Sequence, residues 1–153
     1  MKKHSKKTSY ITRVCMITLT IILITLFFCI MLLVSQIQGT ARIVNYAGLV
    51  RGKTQRIIKL EDARQPHDEM IESVSSYIKG LRYGSKELNL VRLDDKAFQS
   101  KMQELNSYFK ELCDEIQLVR EKGHEHTSII DKSEHFFQIC DEATGLAEAY
   151  SQE

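Results

Sequence analysis

The sequence predicts an all-α protein: one N-terminal transmembrane helix continuing into an antiparallel four-helix bundle. Three observations point there. An uncharged run of 21 residues, "VCMITLTIILITLFFCIMLLV", fills Val14 to Val34. Downstream, apolar residues recur at alternating steps of three and four, the period that places them on one face of a helix. The single proline, Pro66, and the glycines Gly84 and Gly123 fall where the periodic segments break, as helix boundaries require.

The apolar run sets the topology. About 20 apolar residues cross a bilayer core, whereas a cleaved signal peptide has an apolar stretch of only about 7 to 15 followed by a small-residue cleavage site. The run is too long for the second, and no such site follows it. Phe28 stands before Cys29, where a lipid-attachment site needs a small residue. Residues 1–13 carry Lys2, Lys3, Lys6, Lys7 and Arg13 and no acid, which keeps that end in the cytoplasm by the positive-inside bias. The expected organisation is a cytoplasmic basic tail (1–13), a transmembrane helix (14–34) and an extracytoplasmic four-helix bundle (35–153). The chain is expected in the cytoplasmic membrane, single-pass, with its C-terminal domain outside. That topology, with an acidic surplus beyond residue 13, excludes nucleic acid as a partner.

The first helix is expected to continue out of the membrane and end near Gln65, because the residue before a proline is pushed out of the helical region. The second starts between Pro66 and Asp68, carries Ile71, Val74, Ile78 and Leu81 on one face, is weakened by Gly80 and stops at Gly84. "SKELNLVRLDD" reads as a connector, with Asp94 or Asp95 as the next N-cap. The third helix has the cleanest stripe: Phe98, Met102, Leu105, Phe109, Leu112, Ile116 and Val119, closed by Gly123. The fourth begins near Thr127 or Ser128 and carries Ile129, Ser133, Phe136, Cys140, Ala143, Ala147 and Tyr150. Four amphipathic helices with short connections favour an antiparallel bundle.

The first helix carries two stripes. Ile43, Ala47, Val50, Thr54 and Ile57 form one; Val44, Gly48, Arg51, Gln55 and Ile58 form the other, offset by one residue. A helix buried only in its own bundle needs one. The second is either a wider core contact or the seam of a dimer, in which Gly48 lets a neighbouring backbone approach. Arg51 would then lie at the seam, and two guanidinium groups meeting there call for an anion between them. From Arg42 to Arg64 there are six basic residues and two acids. On charge and spacing alone, a solvated or intramolecularly paired charge run is the favoured reading of this face.

The pattern Asn45-x-Ala47-Gly48-x-x-Arg51, followed by Thr54 and Arg56, resembles the first periplasmic helix of bacterial nitrate sensor kinases and the related N-terminal domain of type IV pilus chemotaxis transducers. The string "NYAGLVRGKTQRIIKLE" is similar to sensor regions of bacterial diguanylate cyclases and hybrid sensor kinases. The motif covers about twenty residues, and the helical pattern extends the likeness over roughly 35 to 153. The resemblance implies a dimeric sensor bundle feeding a cytoplasmic output domain, with Arg51 as the anion ligand at a seam of Val44, Asn45, Gly48, Arg51, Gln55 and Ile58. Where that pattern has methionine and a neutral polar residue, this chain has Gly52 and Lys53. No second span and no output domain follow, so a truncated relative of such a receptor is the expectation. The alternative, from a different class, is a structural protein that pairs with full-length receptors or other membrane helices.

No glycine-rich phosphate loop, nucleophile elbow or paired-acid motif is present, so neither catalysis nor a cofactor is expected. "HEH" at His124 to His126 lacks HExxH spacing, since Ser128 stands four after His124, and no metal is expected there. Cys15 and Cys29 lie in the apolar run. Cys113 and Cys140 are a candidate disulfide. About a turn centred near Glu125 their offset is three residues, roughly 4.5 Å along a helix, against the 4.4–6.8 Å Cα separation a bridge requires. A bridge would close a loop of 27 residues and stabilise by about 3–4 kcal/mol. Two free buried thiols, packing as small apolar residues, are the favoured alternative.

Overall fold

A computed structural model describes residues 2–152, with the side chains of 10–35 and 37–150. Four α-helices account for most of it: α1 (Lys2–Asp62), α2 (Asp68–Tyr83), α3 (Lys96–Lys122) and α4 (Ile129–Gln152), with a 3₁₀ turn at His124–His126. The described residues contain no strand, only an isolated bridge between Ser85 and Leu90. The chain is all-α, and it divides into two compact units, Met1–Gln38 and Gly39–Glu153.

In the first unit every residue from Tyr10 to Ser35 is exposed. The segment is one continuous helix whose most apolar window has a mean hydropathy of 3.0, long and apolar enough to cross a membrane. Three of its hydroxyls turn inward: Thr18, Thr20 and Thr25 each donate to a carbonyl three or four residues back, which satisfies these donors within the helix itself. Four of the five basic residues of the tail, Lys2, Lys3, Lys6 and Lys7, lie outside the described side chains.

The second unit is built on one apolar core. Ile43, Ala47, Val50, Thr54 and Ile57 of α1 are all buried, as is the whole α3 stripe from Phe98 to Val119. Ile129, Phe136, Cys140, Ala143 and Ala147 of α4 join them with Ile139, while Ser133 is half-buried and Tyr150 reaches solvent. Asp95 caps α3, its carboxylate accepting from the Phe98 N–H at 2.7 Å, and Gly123 closes it at φ 83°.

The connector between α2 and α3 contributes to this core. Leu90 and Leu93 are buried, and Ser85 and Leu90 exchange backbone hydrogen bonds at 2.8 Å each. Gly80, which sequence reading marks as a weak point in α2, makes the fold-back fit: a Cβ there would lie 3.0 Å from the Leu88 side chain and 3.1 Å from Leu90.

α1 ends earlier than proline alone dictates. The Gln65 N–H donates to the Leu60 carbonyl at 2.8 Å and the Arg64 N–H to that of Glu61 at 3.0 Å, with Arg64 at φ 54°. This is a Schellman closure, whose left-handed residue is usually glycine.

Candidate functional site

Arg51 is the residue singled out by sequence, and its surroundings are on α4. Phe137 and Asp141 are four apart on α4 and therefore share a face. The Arg51 guanidinium lies 5.1 Å from the centre of the Phe137 ring and pairs through Nη1 with Oδ1 of Asp141. Both charged side chains are more than a third exposed, 39% and 50%. The pair is therefore solvent-screened and of modest energy, while the cation over the aromatic face adds a fixed direction. Directly beside it Cys140 is fully buried, and burial pushes its thiol up to about 12, against the opposing pull of Arg51.

The second stripe of α1 is thereby divided. Ile58 is only 7% exposed and belongs to the chain's own core, and Val44 packs against that core. Ile58 is thus taken up by the chain's own core, while Val44 keeps part of its surface exposed. Adjacent positions on a helix differ by 100°, so Ile57 and Ile58 both fit inside one wide apolar arc. Arg51 faces α4 of its own chain. Asn45 and Gln55 are exposed, and a Cβ added at Gly48 or Gly52 would meet nothing within 4 Å. Packing within the chain therefore does not explain these two glycines.

The opposite flank of α1 is joined to α2. Lys53 donates to the Ser73 hydroxyl at 2.8 Å and lies 4.9 Å from the Tyr77 ring centre, and Tyr46 meets Tyr77 edge to face at 5.0 Å. Hydrogen bonding with Ser73, then with Lys53, holds the Tyr77 phenol below its ordinary value.

At the end of α1 a second polar cluster forms. Arg120 of α3 donates from Nε to Glu61 at 2.9 Å and from Nη2 to Asp68 at 2.7 Å. Glu61 is buried and held by this forked contact, and the two carboxylates raise the Arg120 guanidinium above its ordinary value, Glu61 contributing most. A cleft of about 760 Å³ opens beside it between the end of α1, the end of α3 and the His124–His126 turn. His124 Nε2 is buried in its wall, makes no hydrogen bond and lies 3.5 Å from Asp62. Sequence reading weighed His124 and His126 only as metal ligands. Among the described residues no three His, Cys, Asp or Glu side chains converge on a metal position.

Cys113 and Cys140 are both free thiols. Cys113 opens into a groove between α2 and α3 that it shares with Ile71, Ser75, Lys79 and Phe109, whereas Cys140 lies by Arg51. The two thiols thus have different surroundings, and the bridge considered from spacing is absent. Burial raises the Cys113 thiol to about 11.

No protein-family model, no curated protein and no solved structure matches the chain.

Proposed function

We propose that this chain is a membrane-anchored sensory module. Residues 14–34 cross the cytoplasmic membrane, the basic tail stays in the cytoplasm, and 35–153 form an antiparallel four-helix ligand-binding bundle outside. The observation that carries the anchoring is the fully exposed apolar helix from Tyr10 to Ser35. In water such a surface would drive aggregation, and a bilayer is the environment that accepts it. The antiparallel arrangement is supported by the pairs Tyr46–Tyr77 and Lys53–Ser73 between α1 and α2, and by Phe109–Phe136 and Lys101–Glu142 between α3 and α4. In each set the number rises on one helix as it falls on the other.

The responsive element in this reading is the Arg51–Asp141 contact. Arg51 offers a planar, forked donor, and its present acceptor is a half-exposed carboxylate. A small oxyanion reaching the guanidinium competes with Asp141 and frees α4 from α1 at that level. A ligand shifts an equilibrium only through such differential contacts, and this one joins the helix that runs on from the membrane to the last helix of the chain. Pairing is with a second copy or a related receptor, across the open α1 face at Asn45, Gly48 and Gln55.

Thermal unfolding of the full chain in detergent, with and without nitrate, sulfate and phosphate, tests this. A rise in Tm with at least one oxyanion, absent in Arg51→Ala, is expected. Indifference of the wild-type chain to all three would contradict ligand sensing at Arg51. It would favour the alternative supported by the open Gly48 and Gly52 positions, an interaction protein that pairs with other membrane helices.

A further inference from the structure

We infer that the cleft at the end of α1 is a second binding site, independent of Arg51, for a small zwitterion bearing one carboxylate and one ammonium group, such as a free amino acid. The inference starts from Arg64. This residue occupies the left-handed position of a helix closure, at φ 54°, where glycine is the favoured residue and a side chain is strained. Backbone strain held at a bulky residue is a pointer to use of its side chain. The Arg64 side chain lines the cleft of about 760 Å³, room for a small organic molecule.

The charges of the wall select the ligand. Its lining includes three acids, Glu61, Asp62 and Glu125, and three bases, Arg64, Arg120 and Lys122. Glu61 is committed to Arg120, which also holds Asp68. Arg64 and Lys122 take part in none of the described ion pairs, and Asp62 has only the 3.5 Å approach of His124. The uncommitted groups are therefore two cations and two carboxylates. A simple anion would meet the acids as well as the bases, and a simple cation the reverse. A zwitterion satisfies both, its carboxylate on the forked donors of Arg64 and the ammonium of Lys122, its ammonium on Asp62 and Glu125. His124 Nε2 in the same wall is buried and makes no hydrogen bond, with Asp62 3.5 Å away, an uncommon state for a buried polar atom.

The test uses the full chain in lipid nanodiscs, titrated calorimetrically with each proteinogenic amino acid singly. Acetate and methylammonium serve as single-charge probes and are titrated into Arg51→Ala, so that no anion is taken up at the other site. At least one amino acid should bind and both single-charge probes should fail. Arg64→Gly and Lys122→Gln should each weaken binding by about tenfold or more, the loss of a charge-assisted contact. The Tm of unliganded Arg64→Gly should stay level or rise, and Arg51→Ala should bind as wild type. Absence of binding by every amino acid would overturn the inference. So would acetate binding as tightly as the amino acid, unchanged affinity in both cleft variants, or a lowered Tm in Arg64→Gly. Loss of binding in Arg51→Ala with retention in Arg64→Gly would move the ligand to the other site and also overturn it.

Discussion

Glu115 reaches across from α3 to fix the start of α4: its carboxylate accepts from the Ser128 backbone N–H and from Lys132 Nζ, each at 2.6 Å. The acid is buried, and the two contacts, Lys132 foremost, hold its carboxyl below the usual range. It acts as an N-cap supplied by another helix, satisfying an N–H that α4 cannot satisfy internally. Glu115→Ala should lower stability by about 2 kcal/mol, the scale for charge-assisted hydrogen bonds with a donor left unmade. Chemical denaturation of the wild-type and variant chains measures it.

The same group gives a pH dependence of definite sign. A carboxyl depressed in the folded state contributes its full stability above the unfolded value, about 4.3 for glutamate. That contribution is lost as pH falls from there through the folded value. The stability gap between wild type and Glu115→Gln should therefore shrink as pH is lowered from 6 towards 3. A gap that widens on acidification would rule out a depressed Glu115.

Arg120→Ala should be more damaging than loss of any exposed charge. It strands the buried Glu61 without its forked partner, at a cost of about 3 kcal/mol. Arg120→Lys should recover only part of this, since an ammonium cannot reproduce the two-pronged contact that Nε and Nη2 make. Thermal melts of the three chains would check the order.

Gly48 separates folding from association. Its Cβ position is open, so Gly48→Ala should stabilise the fold by about 1 kcal/mol through helix propensity alone. Gly48→Leu should weaken self-association by blocking close approach. Sedimentation in detergent reads the second effect, and a dimer indifferent to leucine would remove the α1 face from the interface.

Thiol chemistry should follow burial. In a Cys15→Ser, Cys29→Ser background, Cys113 should react slowly with maleimide in the native state, because its thiol is raised to about 11. Cys140, with no exposed surface, should react only on unfolding. Mass mapping of the adducts would show this, and a reactive native Cys140 would contradict its place in the core.

Much of the helical layout is legible in the sequence because few residues decide it. The Phe98-to-Val119 stripe, the Asp95 cap and the Gly84 and Gly123 stops are local signals. What stays hidden is long-range. Asp141 is 90 residues from Arg51, and nothing local distinguishes it from other acids on a polar helix face. Ile58 looks like a second seam because a one-residue offset cannot be told from a broad core arc. Leu90 and Leu93 sit in a polar connector whose aperiodic pattern conceals their burial, although Leu88, Val91 and Gly80 were available hints of a folded-back loop. Glu115 interrupts no stripe, so its capping of another helix has no sequence signature.

Membrane anchoring with the helical domain outside is most directly tested by protease protection. A chain tagged at its N-terminus is expressed in a bacterial host, and intact spheroplasts are treated with protease before alkaline carbonate extraction of the membranes. The expected result is a short tagged fragment that stays in the carbonate-washed membrane, with residues 39–153 digested from outside. Release of the chain by carbonate, or an undigested full-length product in intact spheroplasts that becomes sensitive only after lysis, would contradict it.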